Sequence, residues 1–263
     1  MIKTKSRLFN ISSNNTSLNG SFKSKLLLQL PDLSFHNEII ETIYISIQHA
    51  EIPASWYNVN YTNSNIIINN ITYQIPVGNY NATNLITALN VLLPTYTITY
   101  SSISNRYTFS NSTVFTLNNK STSKYIIGLG DSDSTAIFNS STGLYTLTLP
   151  YNVNFVSIAR VNIKSDLFKF YNFNGGDKSN DLFLSIQVNT NINSMINYLN
   201  QTQIKFKVDD RNITNFILSL VDDNGSYINF NNSDSYITLQ IDIEYIETIN
   251  KNINFTDLIN NSI

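Results

Sequence analysis

The stretch SYITLQIDIEYIETI, residues 235–249, constrains the fold more than any other. Ile237, Leu239, Ile241, Ile243 and Tyr245 alternate with Thr238, Gln240, Asp242 and Glu244. A period of two places every apolar side chain on one face of a strand, whereas a helix needs apolar spacings of three and four. The same rule reads EIIETIYISIQHAEIP (38–53) as a long strand, with Ile43, Ile45 and Ile47 facing one way. SFKSKLLLQLP (21–31) is a third, with Phe22, Ser24, Leu26, Leu28 and Leu30 on one face. Further strands are expected at 144–150, 152–163, 181–188, 203–210 and 215–223, and Asp222-Asp223-Asn224-Gly225 is a turn signal. Many short strands without crossover helices predict a mostly β chain, an antiparallel β-sandwich.

Residues 54–130 read differently. NIIINNITYQI (65–75) is a hairpin turning at Asn69-Asn70, because Asn tolerates the positive φ that tight hairpins need. After Pro76-Val77-Gly78 comes a helix capped by Asn81. Ala82, Leu85, Ile86, Leu89, Leu92 and Leu93 form its apolar stripe, and Pro94 stops it. Strands at 95–100 and 105–111 follow. The order β-β-α-β-β predicts an inserted α+β subdomain, one helix on one small antiparallel sheet, dividing a sandwich built from 22–53 and 144–249. Residues 1–21, basic at Lys3, Lys5 and Arg7 and then polar, are expected to form a flexible N-terminal arm, and 250–263 a C-terminal tail.

Composition narrows the function. Charged residues are only 13%, and Asn, about one residue in six, supplies the polarity. A net charge of −2 offers no field for nucleic acid or an anionic membrane. Cysteine is absent, which excludes a disulfide framework, a thiolate metal site and a cysteine nucleophile. No apolar run approaches the roughly 20 residues of a membrane span, and no signal peptide is visible, so a soluble protein made inside a cell is expected.

Chemistry-bearing residues are sparse. His36 and His49 are the two histidines, and neither belongs to a triad or zinc pattern. The acidic pairs Asp131/Asp133, Asp209/Asp210 and Asp222/Asp223 sit where strands meet turns, where Asp bonds local backbone. Gly128-Leu129-Gly130 and Gly175-Gly176 lack the Lys-Ser/Thr of a phosphate loop. No catalytic, metal-binding or cofactor-binding residue is expected, and no cofactor. The 16 Tyr and 15 Phe are read chiefly as packing.

One segment, IPVGNYNATNLITALN (75–90), resembles an Ile-Pro-x-Gly-x-Tyr…Leu…Leu-Asn signature of penton and minor capsid proteins. Such proteins belong to virophages, Polinton-like elements and related large eukaryotic DNA viruses. Three stretches fit the same order: ISIQHAEIPASWYNVN (45–60), NRYTFSN to YIIGLG (105–130), and DDRNITNFILSLVDDNGSYINFNNSDSYITLQIDI (209–243). Asn81 and Asn84 replace the family's acidic helix start, and Gly130 its aromatic after the Leu-Gly turn. The resemblance implies a single jelly roll with an inserted subdomain and no enzyme activity. It implies a homopentamer at an icosahedral vertex beside a separate major capsid protein, located in the virion and made in the host cytoplasm. A minor cement protein of the same shell and a carbohydrate-binding β-sandwich or adhesin, with a host glycan or receptor as partner, remain open alternatives. An enzyme such as a glycosidase would need opposed carboxylates across a cleft, and the linear sequence shows none.

Overall fold

The computed structural model describes residues 2–31, 38–168, 181–208 and 213–247. The expectations for His36, Gly175-Gly176, Asp209/Asp210 and the tail 250–263 fall outside these residues. Along the chain run β1 (Ile2–Ser12), α1 (Ser13–Thr16), β2 (Lys25–Gln29), β3 (Glu38–Pro53), β4 (Asn65–Ile68) and β5 (Ile71–Gln74). Next come α2 (Ala82–Leu92), β6 (Thr97–Ser101), β7 (Arg106–Asn111), β8 (Thr116–Leu117), α3 (Lys124–Ile127), β9 (Ser134–Thr135), β10 (Ile137–Asn139) and β11 (Leu144–Thr148). The series closes with β12 (Arg160–Ser165), β13 (Leu182–Gln187), β14 (Met195–Leu199), β15 (Phe206–Val208), β16 (Asn215–Val221) and β17 (Tyr236–Glu247). Two compact units result: one from Met1–Ser55 with Arg160–Ile263, the other from Trp56–Ala159.

The first unit contains two antiparallel sheets. One has the order β1-β17-β3-β14, with β15 also on β3; the other is β13-β12-β16-β2. β14 pairs with Pro53 to His49 of β3 and β15 with Ile45 to Ile43, so they are two halves of one edge strand. Asn200 holds the chain between them, taking the Ile204 N–H at 3.1 Å and returning a 3.1 Å bond to its carbonyl. Lettered B to I in chain order, the sheets read B-I-D-G and C-H-E-F, which is the jelly roll. Phe183 of β13 meets Phe206 of β15 edge to face, centroids 5.3 Å apart, packing one sheet on the other.

The apolar alternation of β17 is the core face: Ile237, Leu239, Ile241 and Ile243 are buried. In β3, Ile43, Ile45 and Ile47 point inward, but so do Ala50 and Ile52, which have the opposite parity. The register explains this. Thr238 pairs with His49 and Leu239 with Ile47, so Gln48 bulges out and shifts the pleat by one residue.

The flexible arm is not what the structure contains. Residues 2–12 form β1, paired in register with β17 from Ile2–Ile246 to Ser12–Tyr236. Lys3, Lys5, Arg7, Phe9 and Ile11 do alternate, but charge occupies the positions that an apolar pattern would fill. Lys5 Nζ lies 5.0 Å from the centroid of the Tyr245 ring, and Lys3 Nζ is 2.6 Å from Glu247. Charges along an edge strand also discourage pairing with a further strand.

In the second unit the hairpin and helix form as their local chemistry dictates. Asn69 and Asn70 adopt φ of 50° and 65°, and Asn81 Oδ1 accepts the Asn84 N–H at 2.8 Å. The single ββαββ sheet does not form. β4 and β5 join β8 and β9 in one sheet, whereas β6 and β7 join β10 and β11 in another. Leu85, Leu89 and Leu93 share one core with Ile66, Ile98, Tyr107, Phe109 and Phe115. β11, expected in the sandwich, pairs with β7 instead, from Tyr145–Asn111 to Thr148–Thr108. The strand expected over 152–163 is a strand only from Arg160.

Candidate functional site

The chemistry-bearing residues read from the sequence are dispersed. His49 Nε2 is 3.8 Å from Glu51 Oε1, with both side chains about two-fifths exposed. Asp222 Oδ1 accepts the N–H groups of Asn224 (2.8 Å) and Ser226 (2.9 Å), which makes it a turn carboxylate. Asp131 accepts from Lys124 Nζ at 2.8 Å and Tyr125 OH at 2.6 Å. Those hydrogen bonds hold its carboxyl below the usual range. Asp133 accepts the Asn119 N–H at 2.6 Å. Each carboxylate thus serves its own loop. Among the described residues, no group of three or more His, Asp and Glu could hold a metal ion. No described helix is long and apolar enough to cross a membrane.

The Gly128-Leu129-Gly130 turn is a packing device. Gly128 has φ +87°, and a Cβ there would stand 2.3 Å from the Tyr151 carbonyl oxygen. At Gly130 (φ +78°) a Cβ would stand 2.4 Å from the Tyr151 ring. The glycines let this turn close on Tyr151, whose N–H donates to the Gly128 carbonyl at 3.0 Å. A similar fixing precedes α2. Asn58, almost fully buried, accepts the Tyr80 N–H at 2.9 Å and donates to the Tyr80 carbonyl at 2.7 Å. Val59 and Gly78 exchange backbone bonds at 3.1 and 2.9 Å.

Sequence reasoning missed a buried polar cluster on β17. Asp242 of β17, 2% exposed, lies on the face opposite the isoleucine core. Ser6 and Gln240 donate to its Oδ1 at 2.6 and 2.7 Å, and Lys205 Nζ donates to Oδ2 at 2.5 Å. Burial pushes the carboxyl up, and the bonds from Lys205, Ser6 and Gln240 outweigh it, leaving Asp242 below the usual carboxylate range. The row Ser6–Asp242–Tyr44–Lys207 crosses β1, β17, β3 and β15 in register. This cluster is built to hold strands together. The signal for it was Asp242 at the centre of an otherwise Thr/Gln/Glu polar face, which names no partner 37 residues away.

Apolar side chains stand exposed on several edges of the described sheets. In the first unit the edge strand β1 exposes Ile2 and Leu8; in the second, Ile137 and Phe138 stand out on edge strand β10, and Ile103 is fully exposed between β6 and β7. Comparison with known proteins found no matching family model and no matching curated protein. Among solved structures, the chain is similar to the mavirus penton protein. The identity is 12% and the TM-score 0.49, covering 92% of this chain and 100% of that one. It is also similar to VP17, a capsid protein of bacteriophage P23-77, at 10% identity and a TM-score of 0.23, covering 94% and 99%. The jelly-roll assignment rests on the strand order described above.

Proposed function

We propose that the chain is a structural subunit of an icosahedral viral capsid, acting as the vertex penton in a homopentamer beside a separate major capsid protein. The observation that carries this reading is the pair of sheets ordered B-I-D-G and C-H-E-F, with residues 56–159 between strands D and E. The segment Ile75–Asn90, with its resemblance to the penton and minor capsid signature, falls in that intervening unit. The low charge supports the reading physically. Five copies of one surface must approach around an axis, and 13% charged residues with a net charge of −2 give little self-repulsion. In this role the protein is synthesised in the host cytoplasm, ends in the virion and performs no catalysis.

The test is the assembly state. Native mass spectrometry and negative-stain imaging of the purified chain are expected to show a five-membered ring, and particles are expected to carry five copies per vertex. A strict monomer absent from virions overturns the proposal. A different copy number in virions replaces the penton with a cement role in the same shell.

A further inference from the structure

We infer that the first unit carries a binding site for a neutral saccharide on the exposed face of the β13-β12-β16-β2 sheet. The register sets Lys164, Ser219 and Lys25 side by side on β12, β16 and β2. With strands about 4.8 Å apart, the two lysine backbones stand about 10 Å from each other with the serine between. Around this row lies a cleft of about 290 Å³, lined also by Asp166, Asp181, Ile217 and Tyr227. Tyr227 is half exposed, and Lys25 Nζ stands 6.0 Å from its ring centroid.

The chemistry of the lining selects the ligand. Two ammonium groups and two carboxylates cancel, so the cleft has no net pull on a strongly charged molecule. Asp166 is committed to the Ile217 N–H at 2.8 Å. Asp181 Oδ1 lies 3.2 Å from Lys164 Nζ, an ion pair by distance. No donor is aligned on that buried oxygen, so it retains capacity to accept a hydrogen bond. Lys25 and Ser219 add donors to the same lining. A half-exposed aromatic ring with an ammonium over it, further donors and an acceptor with spare capacity fit a ring with hydroxyl groups on its rim and polarised C–H bonds on one face. The volume equals that of about ten waters, which leaves room for one sugar ring. The alternation of charge argues against a phosphate or sulfate site. This inference is independent of the capsid proposal.

The full chain is screened on a glycan array, and hits are measured by ligand-observed NMR titration. Neutral sugars are expected to bind with Kd near 1 mM. Tyr227→Ala and Lys25→Gln, each checked for an unchanged far-UV spectrum, are expected to weaken binding about tenfold or more. Tyr61→Ala, at an exposed tyrosine of the other unit, is expected to leave it unchanged. Three results overturn the inference: no neutral sugar binding at about 10 mM, binding that survives both cleft variants, or binding confined to sulfated and acidic glycans. None of them bears on whether the chain forms a ring.

Discussion

Removing either partner of the Asp242–Lys205 pair is expected to destabilise the first unit unequally. Asp242 is buried, whereas the Lys205 side chain is 43% exposed. Lys205→Met leaves a carboxylate out of water with only the Ser6 and Gln240 bonds. Loss of one member of a fully buried pair costs about 3–5 kcal/mol, and the exposure of Lys205 discounts this to about 2–3 kcal/mol. Asp242→Asn removes the charge that burial penalises and lets the lysine swing into water, so about 1–2 kcal/mol is expected. The effect also carries a pH signature. The folded pKa of Asp242 is lowered, so its stabilisation is fully present above the unfolded value, about 3.9, and is lost as pH falls through the folded value. The gap between the native chain and Asp242→Asn therefore holds steady from pH 7 to 5 and closes below about 4. Urea unfolding followed by far-UV circular dichroism reads the stability. Hydrogen exchange at β17 amides localises the loss to the first unit. The reasoning fails if both variants stay within about 0.5 kcal/mol of the native chain, or if Asp242→Asn costs more than Lys205→Met.

Other perturbations test the second unit and the first strand. Gly128→Ala meets a backbone oxygen at a positive φ and is expected to cost about 3 kcal/mol or more by thermal unfolding. Gly143→Ala, at φ +70° with nothing within 4 Å, is expected to cost only about 1–2 kcal/mol. Leu89→Ala opens a cavity in the core under α2, where Leu89 is fully buried, and a loss of about 2–5 kcal/mol is expected in the same measurement. Deleting residues 2–10 bares the edge of β17, and light scattering is expected to report open-ended aggregation beyond the discrete assembly of the full chain.

How legible each strand was follows from how much of its apolar alternation its place in the sheet preserves. β17 lies between β1 and β3, so every inward position must be apolar and its period is unbroken. β3 is flanked on both sides and was legible over its whole length, Glu38–Pro53, although its bulge at Gln48 is visible only through its pairing. Short-range signals also translated directly, because the Asn69-Asn70 turn and the Asn81 cap need nothing beyond their neighbours. Edge strands divided: β2 and β13 kept an apolar alternation and were read, whereas β1 and β14 were not. β1 carries Lys3, Lys5 and Arg7 where a central strand would carry Ile, and it passed for a disordered arm. β14 went unread, because Met195, Asn197 and Leu199 point to solvent, leaving Ile196 as its one fully buried apolar residue.

The dispersal of β6 and β7 from β4 and β5 has the same origin. All four strands present apolar faces to α2 and its core, and the pattern is satisfied equally by one sheet or by two sheets meeting over the helix. The choice is made by β8 and β11, whose ladders join Leu117 to Ile68 and Leu147 to Phe109. Those pairings span about 40 to 50 residues, and loop closure at that distance leaves no mark in any local window. The candidate surfaces were hidden for the converse reason. A buried carboxylate such as Asp242 and a cleft such as that around Ser219 are made by strands distant in sequence and adjacent in register, so strand order must be known before either can be seen. A jelly roll interleaves first and last strands more than most folds do. In this chain the helix cap and the hairpin turn belong to one local segment, whereas Ser6 and Lys205 reach Asp242 from opposite ends of the fold.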